Sequence, residues 1–495
     1  MTNFKIKIGR LEIIVFIAGA VVMVLEMIGS RILAPYLGTS IFVWASLIGV
    51  ILGALTLGYY LGGKFSNKNP QLAFLTRVLL LAGISILFIT IVKEPVLNYC
   101  LKLGVKIGSL IATLTLFTLP SIILGMVSPY AIRLKIENIE KSGGVAGNLY
   151  ALSTIGSIFG TFLSGFYLIP TFGSTQILFG LSLILILTSL LGGKKIIKVT
   201  CLLLVFTTWF VIQAIPSPYA FEADSAYNHI TVKDGLYGPN KLPIRLLYLA
   251  TETHSIAYKN SNQLFSTYQS LYHLDSLFNP NIKKALTLGG GAYLGPMDFL
   301  RRYPNAEMTV VEIDPKVTQV AKDYFGLKDD ARLKIIHEDG RIFLNQNQEK
   351  YDVIYGDAYA SYYSIPFQLT TKEAIQKIYN SLNDDGILVL NVISSLTGKK
   401  STFFQAEYKT IKEYFNQIYI FPAREYDGKN TATHQNLILI ATKNNLNQSE
   451  LITKANPEQK ILLKHWWQKD ILLDPKTKIL TDDFAPVDFY ISKLL

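Results

Sequence analysis

The sequence predicts a multi-pass α-helical membrane domain followed by an α/β half, itself a small β subdomain plus a doubly wound sheet. Three observations carry this. Half of the 495 residues are apolar and 17% are charged, with a mean hydropathy of +0.31. Soluble chains usually carry a charged share of roughly a quarter. Charge is also unevenly divided: residues 1–215 hold 16 Lys and Arg against 5 Asp and Glu, while residues 216–495 hold 31 of each. Finally, the second half alternates strand and helix patterns. The net charge of +11 therefore belongs to the apolar half. The neutral half has no basic excess with which to hold nucleic acid. Cys100 and Cys201 both lie in apolar runs, which excludes a disulfide scaffold and a cysteine-based zinc site. No metal is expected.

Seven apolar runs approach the about 20 residues that a helix needs to cross a bilayer. They are 11–33, 41–61, 72–92, 107–131, 145–169, 177–191 and 196–215, the sixth being short. The first is too long for a signal peptide and lacks a small-residue cleavage pattern. Gly156, Gly160 and Gly165 in the fifth run permit close helix contacts. Pro120 and Pro129 predict one kinked helix, since no polar break separates them. Glu26 and Arg31 are costly within a span. Their five-residue spacing puts them on different faces, so an intrahelical bridge is not expected.

At Pro216 the composition turns mixed. Strands are predicted at 228–232, 245–250 and 255–258, separated by turn residues such as Asp234–Gly235, with a helix over 262–274. These make a β subdomain of residues 216–280. From 281 to 445 strands and helices alternate. Strand 285–288 runs into Gly289, Gly290 and Gly291, strand 307–313 into Glu312 and Asp314, strand 333–336 into His337–Glu338–Asp339–Gly340, and strand 353–355 into Gly356–Asp357. Strands at 387–392, 418–422 and 436–441 complete the series. Repeated βα units imply a parallel, Rossmann-like doubly wound sheet with its ligand at the carboxyl ends of the strands. Residues 446–495 form a C-terminal tail.

The chemistry gathers at four strand ends. Three glycines let the backbone approach a ligand closely. Glu312 stands 21 residues past Gly291, at the end of the next strand, where a carboxylate can accept both ribose hydroxyls. Asp314 caps the helix that follows. Asp339 can take an adenine amino proton; the alternative is a polar turn. Asp357 can orient an amine and take its proton as that amine attacks an electrophilic carbon. Asp352 opens its strand and is read as structural.

The order GGG, VVEID, HEDGR, YDVIYGDAY and YNSLNDDGILVLNV resembles the class I S-adenosylmethionine-dependent fold. Within it the chain looks most like spermidine synthase, the polyamine aminopropyltransferase family. The spans in front, IPFQLTT after Asp357 and LTDDFAPVDFY near the end resemble the membrane-fused members. Ser225–Ala226–Tyr227–Asn228 is similar to that family's S-x-Y-Q motif. The resemblance implies decarboxylated S-adenosylmethionine as co-substrate and a small primary amine such as putrescine as acceptor. Glu312 would hold the ribose, Asp339 and Gly340 the adenine, Asn228 the nucleoside, and Asp357 would be the proton acceptor. The family's G-G-G-D-G acid is Ala292 here, its second acid after the catalytic one is Ala360, and its Y-H-E stretch corresponds to Tyr268–Gln269–Ser270. Gln269, Tyr359 and Asp483 are the expected amine-side residues, with Tyr362 and Tyr363 beside Tyr359 as an aromatic wall. Asp482 and Asp483 supply charge if the tail folds over the cleft.

Two other readings stay open: a methyltransferase using intact S-adenosylmethionine, and a membrane sensor or transporter whose soluble half binds nucleoside or polyamine without turnover. A homo-oligomer is left open as well. Orientation meets a conflict. With the amino terminus inside, eleven loop Lys and Arg lie inside against four outside, which the positive-inside rule favours. Seven spans then place the catalytic half outside, away from the cytoplasmic nucleoside pool. Either one weak run does not cross, the short 177–191 being the first candidate, or the domain acts outside; cofactor supply is weighed above the charge count, and a cytoplasmic catalytic domain is expected.

Overall fold

The structure is a computed structural model that describes residues 9–67, 70–193, 195–214, 217–358, 365–424 and 431–492. The chain forms two compact units, residues 1–218 with 223–226, and residues 219–222 with 227–495.

The first unit is helical. Among the described residues five helical stretches are long and apolar enough to cross a membrane: Arg10–Leu37, Ile41–Ser66, Leu72–Leu101, Gly104–Lys135 and Ile139–Thr171. The two remaining apolar runs form shorter stretches, Ser174–Ser189 and Ile196–Val211. The fourth stretch is interrupted at Met126 between Gly104–Gly125 and Val127–Lys135, and Pro120 and Pro129 flank that step. Helix Ser142–Leu163 packs on Arg10–Leu37 backbone to backbone. A Cβ at Gly156 or Gly160 would collide with the carbonyls of Phe16 and Ala20, whereas one at Gly165 meets nothing within 4 Å. Glu12 is buried and paired with Lys135. Arg31 donates to the carbonyls of Ser225 and Ala226.

The second unit holds two sheets. The smaller has the order β1 (Phe221–Asp224), β2 (His229–Tyr237), β3 (Leu242–Leu249) and β4 (Glu252–Tyr258), with β2, β3 and β4 antiparallel. The larger is built from β5 (Lys284–Leu288), β6 (Glu307–Val311), β7 (Leu333–Ile336), β8 (Tyr351–Gly356), β9 (Leu382–Ser394), β10 (Gln417–Pro422) and β11 (Gln435–Thr442). Its order is β10-β11-β9-β8-β5-β6-β7. The five strands from β7 to β9 run parallel. Strand order reverses between β5 and β8, so a crevice opens beyond their carboxyl ends.

The sheet is mixed, which corrects the expectation of a wholly parallel one. β11 runs antiparallel to both β9 and β10. The reason is the connection: only residues 423–434 join β10 to β11, without a helix among those described, and a pair joined without a crossover is antiparallel. Each face of the sheet carries its own core. Leu286, Leu288, Ile354 and Leu388 pack on one side, and Ala285, Val353, Tyr355, Ile387 and Val389 on the other. This is the two-residue alternation of buried strands. The tail is woven into both cores, Trp467, Leu480 and Val487 into the first and Trp466 into the second.

Candidate active site

The glycine turn after β5 is shaped by close approach. Gly289 has φ +95°, and a Cβ there would collide with the Asp357 carbonyl, so only glycine lets the two strand ends meet. Ser255 of β4 accepts from the Ala292 amide at 3.2 Å and ties the small sheet to this turn. Glu312, 8% exposed, accepts from the amides of Gly290 at 2.9 Å and Gly291 at 3.4 Å through Oε2, and from Asp314 at 2.9 Å through Oε1. Burial pushes its pKa up, and those amides act against the rise. An ionised carboxylate has about four acceptor sites, so Glu312 keeps capacity for ligand hydroxyls. Asp314 caps helix Pro315–Tyr324, as expected, and its Oδ2 lies 3.4 Å from Nδ2 of Asn228.

Asp339 caps helix Gly340–Gln346. Its Oδ1 accepts from Arg341 at 2.8 Å and Ile342 at 3.1 Å, while Nε2 of Gln368 lies 3.5 Å from Oδ2. The polar-turn role and an open oxygen thus coexist on one side chain. Gly340 lies under the methyls of Leu369, 3.5 Å from where a Cβ would stand.

Asp357 follows β8 directly. The Tyr272 hydroxyl donates to its Oδ2 at 3.0 Å and Nδ2 of Asn391 to its Oδ1 at 2.8 Å. Asn391 Oδ1 in turn accepts from Asn436 at 3.1 Å. Burial raises the Asp357 pKa, and the donors Asn391 and Tyr272 pull against that rise. Tyr272 packs on Tyr355 with ring centroids 5.4 Å apart. The Tyr355 hydroxyl donates to Asp275, a fully buried carboxylate that also takes both terminal nitrogens of Arg302, at 2.9 Å each. Such an arrangement offers a carboxylate held by neutral donors at the switch point, a setting for taking a proton from an amine.

The structure brings Gly289, Gly290, Gly291, Glu312 and Asp357 together at neighbouring strand ends, with Asp339 and Gly340 just beyond β7. Gln269 is buried on the short helix Thr267–Leu271, three residues before Tyr272. Asp483 is exposed, and its neighbour Asp482 is paired with Arg341 at 2.6 Å. The expectations for Tyr359, Ala360, Tyr362 and Tyr363 lie outside the described residues. Asp352 accepts from the Lys283 and Lys284 amides and from Asn383, a structural role. Sequence reasoning missed Tyr272, Asn391 and Ser255. Asn391 left a trace, a polar residue inside the apolar run ILVLNV.

Residues 264–444 match the family model of the spermine/spermidine synthase domain. A polyamine aminopropyltransferase of Vibrio vulnificus is 28% identical over 218 residues, covering 43% of this chain and 71% of the relative. Polyamine aminopropyltransferase 2 of Aquifex aeolicus is 26% identical over 436 residues, 81% of this chain and 82% of the relative, so that likeness extends well beyond the matched domain. Among solved structures, a probable spermidine synthase from Corynebacterium glutamicum has a TM-score of 0.44 at 18% identity, over 54% of this chain and 97% of that one.

Proposed function

We propose that this chain, whose C-terminal part carries a spermine/spermidine synthase domain, is an aminopropyltransferase that uses decarboxylated S-adenosylmethionine and a small primary amine such as putrescine. The observation that carries the reading is Asp357, held through both oxygens by Tyr272 and Asn391 beside the glycine turn. In this reaction a primary ammonium gives one proton to Asp357. The freed lone pair attacks the methylene next to the sulfonium, the carbon–sulfur bond breaks toward sulfur, and 5′-methylthioadenosine leaves. The sulfonium supplies the electrophile, so the protein's tasks are to position the amine and hold its proton. Glu312 takes the ribose hydroxyls, Asp339 and Gly340 the adenine, and Asn228 lies on the nucleoside side. Gln269, Tyr359 and Asp483 belong to the amine side.

The test is mass spectrometry of the full chain in detergent with either form of the nucleoside and a panel of amines. An aminopropylated amine with the decarboxylated form supports the reading; a methylated product with the intact form replaces it. Asp357→Asn keeps the shape but cannot accept the proton, and lowers turnover about 10²–10⁴-fold. Retained turnover in that variant removes Asp357 as the base.

The helical unit anchors the chain in a bilayer, with the catalytic half on the cytoplasmic side. Helix Ser174–Ser189 has 16 residues, roughly 24 Å at about 1.5 Å per residue, against a hydrocarbon core of about 30 Å. The other short stretch, Ile196–Val211, lies within helix Lys195–Ala214 of 20 residues, so shortness singles out Ser174–Ser189 and supports six crossings, which return the carboxyl half to the side of the amino terminus.

A further inference from the structure

Gln368 stands beside the proposed adenine site and has no role in the reading above. It lies in a short 3-10 turn, Phe367–Leu369, and its Nε2 is 3.5 Å from Oδ2 of Asp339. That separation is at the outer edge of hydrogen bonding, so the oxygen remains open to a closer donor. The other Asp339 oxygen is taken by the amides of Arg341 and Ile342. Leu369 of the same turn covers Gly340, and Leu288 lies 3.8 Å from the Cβ position of that glycine. A carboxamide and a carboxylate therefore stand beside leucine side chains that pack over Gly340.

Arg341 fixes where the turn sits. Its guanidinium donates to the Gln368 carbonyl at 2.9 Å and to Thr371 Oγ1 at 3.1 Å. It also pairs with both oxygens of Asp482, at 3.2 and 2.6 Å, and Thr371 donates to Asp482 at 2.7 Å. A two-point guanidinium–carboxylate pair is directional as well as strong. The turn, the helix starting at Lys372 and the tail all meet on one side chain that is 15% exposed.

We infer that Gln368 reads the nucleobase together with Asp339, and that Arg341 and Asp482 are positioning residues that hold it in place. The inference rests on the nucleoside site proposed above. The N6/N7 edge of adenine presents an amine donor beside a ring-nitrogen acceptor, and a glutamine carboxamide presents the complementary pair, whereas the same edge of hypoxanthine presents two acceptors. The open oxygen of Asp339 accepts the second amine hydrogen. A hypoxanthine edge places an oxygen where the amine would be, so it faces the carboxylate acceptor against acceptor and leaves both groups unsatisfied.

The experiment is calorimetric titration of the full chain in detergent with 5′-methylthioadenosine and with its hypoxanthine counterpart, 5′-methylthioinosine. The unaltered chain binds the adenine form roughly 10-fold more tightly or better. Gln368→Leu keeps the bulk and cuts that preference roughly 3- to 10-fold by weakening adenine binding alone. Arg341→Gln and Asp482→Asn each lower the preference, and the double variant lowers it by less than the two effects combined, because both break the one guanidinium–carboxylate pair. If the unaltered chain binds neither nucleoside, the nucleoside site itself fails. If it binds and discriminates, but Gln368→Leu keeps the full preference or weakens both nucleosides equally, Gln368 does not read the base.

Discussion

A carboxylate that serves as a base must be ionised when the amine arrives, and Asp357 is pulled in both directions. Burial raises its pKa, while Asn391 and Tyr272 stabilise the charged form. Among the described residues no charged side chain contributes to its shift, and Asp275 is already paired with Arg302. Tyr272→Phe leaves burial less opposed, so the Asp357 pKa rises further. The acidic limb of the kcat/KM profile then moves to higher pH, and activity is lost first on the acid side. A pH–rate profile with an unmoved limb would uncouple the hydroxyl from the base. Glu312→Ala removes a charge-assisted contact worth about 1.5–3 kcal/mol and weakens 5′-methylthioadenosine roughly 10-fold or more. Calorimetry giving unchanged affinity would take the ribose role away from Glu312. At this scale the acids were legible because each stands where a strand pattern stops. Tyr272 and Gln368 were not, since their partners lie 85 and 29 residues away in the chain and no local period links them.

At the scale of elements, the 3-10 turn Tyr272–Leu274 is held by its middle residue. His273 Nε2 lies 2.8 Å from Asp298 and Nδ1 lies 2.9 Å from Glu458, at the start of helix Pro457–Leu462. Burial opposes the imidazolium and so does Arg302, but the two carboxylates outweigh them and the pKa is raised. A raised folded-state value contributes stability that is fully present below the ordinary histidine pKa of about 6.5 and is lost as pH climbs through the raised value. The melting temperature of the unaltered chain therefore exceeds that of His273→Gln most at about pH 6, and the gap narrows as the medium turns alkaline. A gap independent of pH would mean the ring is neutral throughout. The strands expected were found to within five residues, but β1 was missed and the helix expected over 262–274 shrinks to Thr267–Leu271 and the 3-10 turn. Leu264 instead forms an extended bridge with Ala257, so cross-strand pairing wins over helical spacing. The direction of β11 was hidden too, because a fully buried apolar run looks alike in either orientation.

For the whole molecule, the division into an apolar basic half and a neutral α/β half was plain in the charge arithmetic. The number of crossings was not, because hydropathy alone does not fix where a helix ends. A reporter fused after Leu495 decides the side: a bright cytoplasmic fluorophore and silent alkaline phosphatase are expected, and the reverse pattern means an odd number of crossings. The sheet order carries a consequence of another kind, for synthesis. β9 is the inner neighbour of β8, yet its other edge is covered only by β11, whose last residue comes 48 positions after Ser394. At about 5–20 residues per second the ribosome takes roughly 2–10 seconds over that stretch. Throughout this interval the nascent chain displays a long apolar strand with one row of unpaired amides and carbonyls, a template for any other strand nearby. Neighbouring ribosomes translating the same message would bring identical edges within reach, and the lag before β11 emerges sets how long a chaperone must stand in for it.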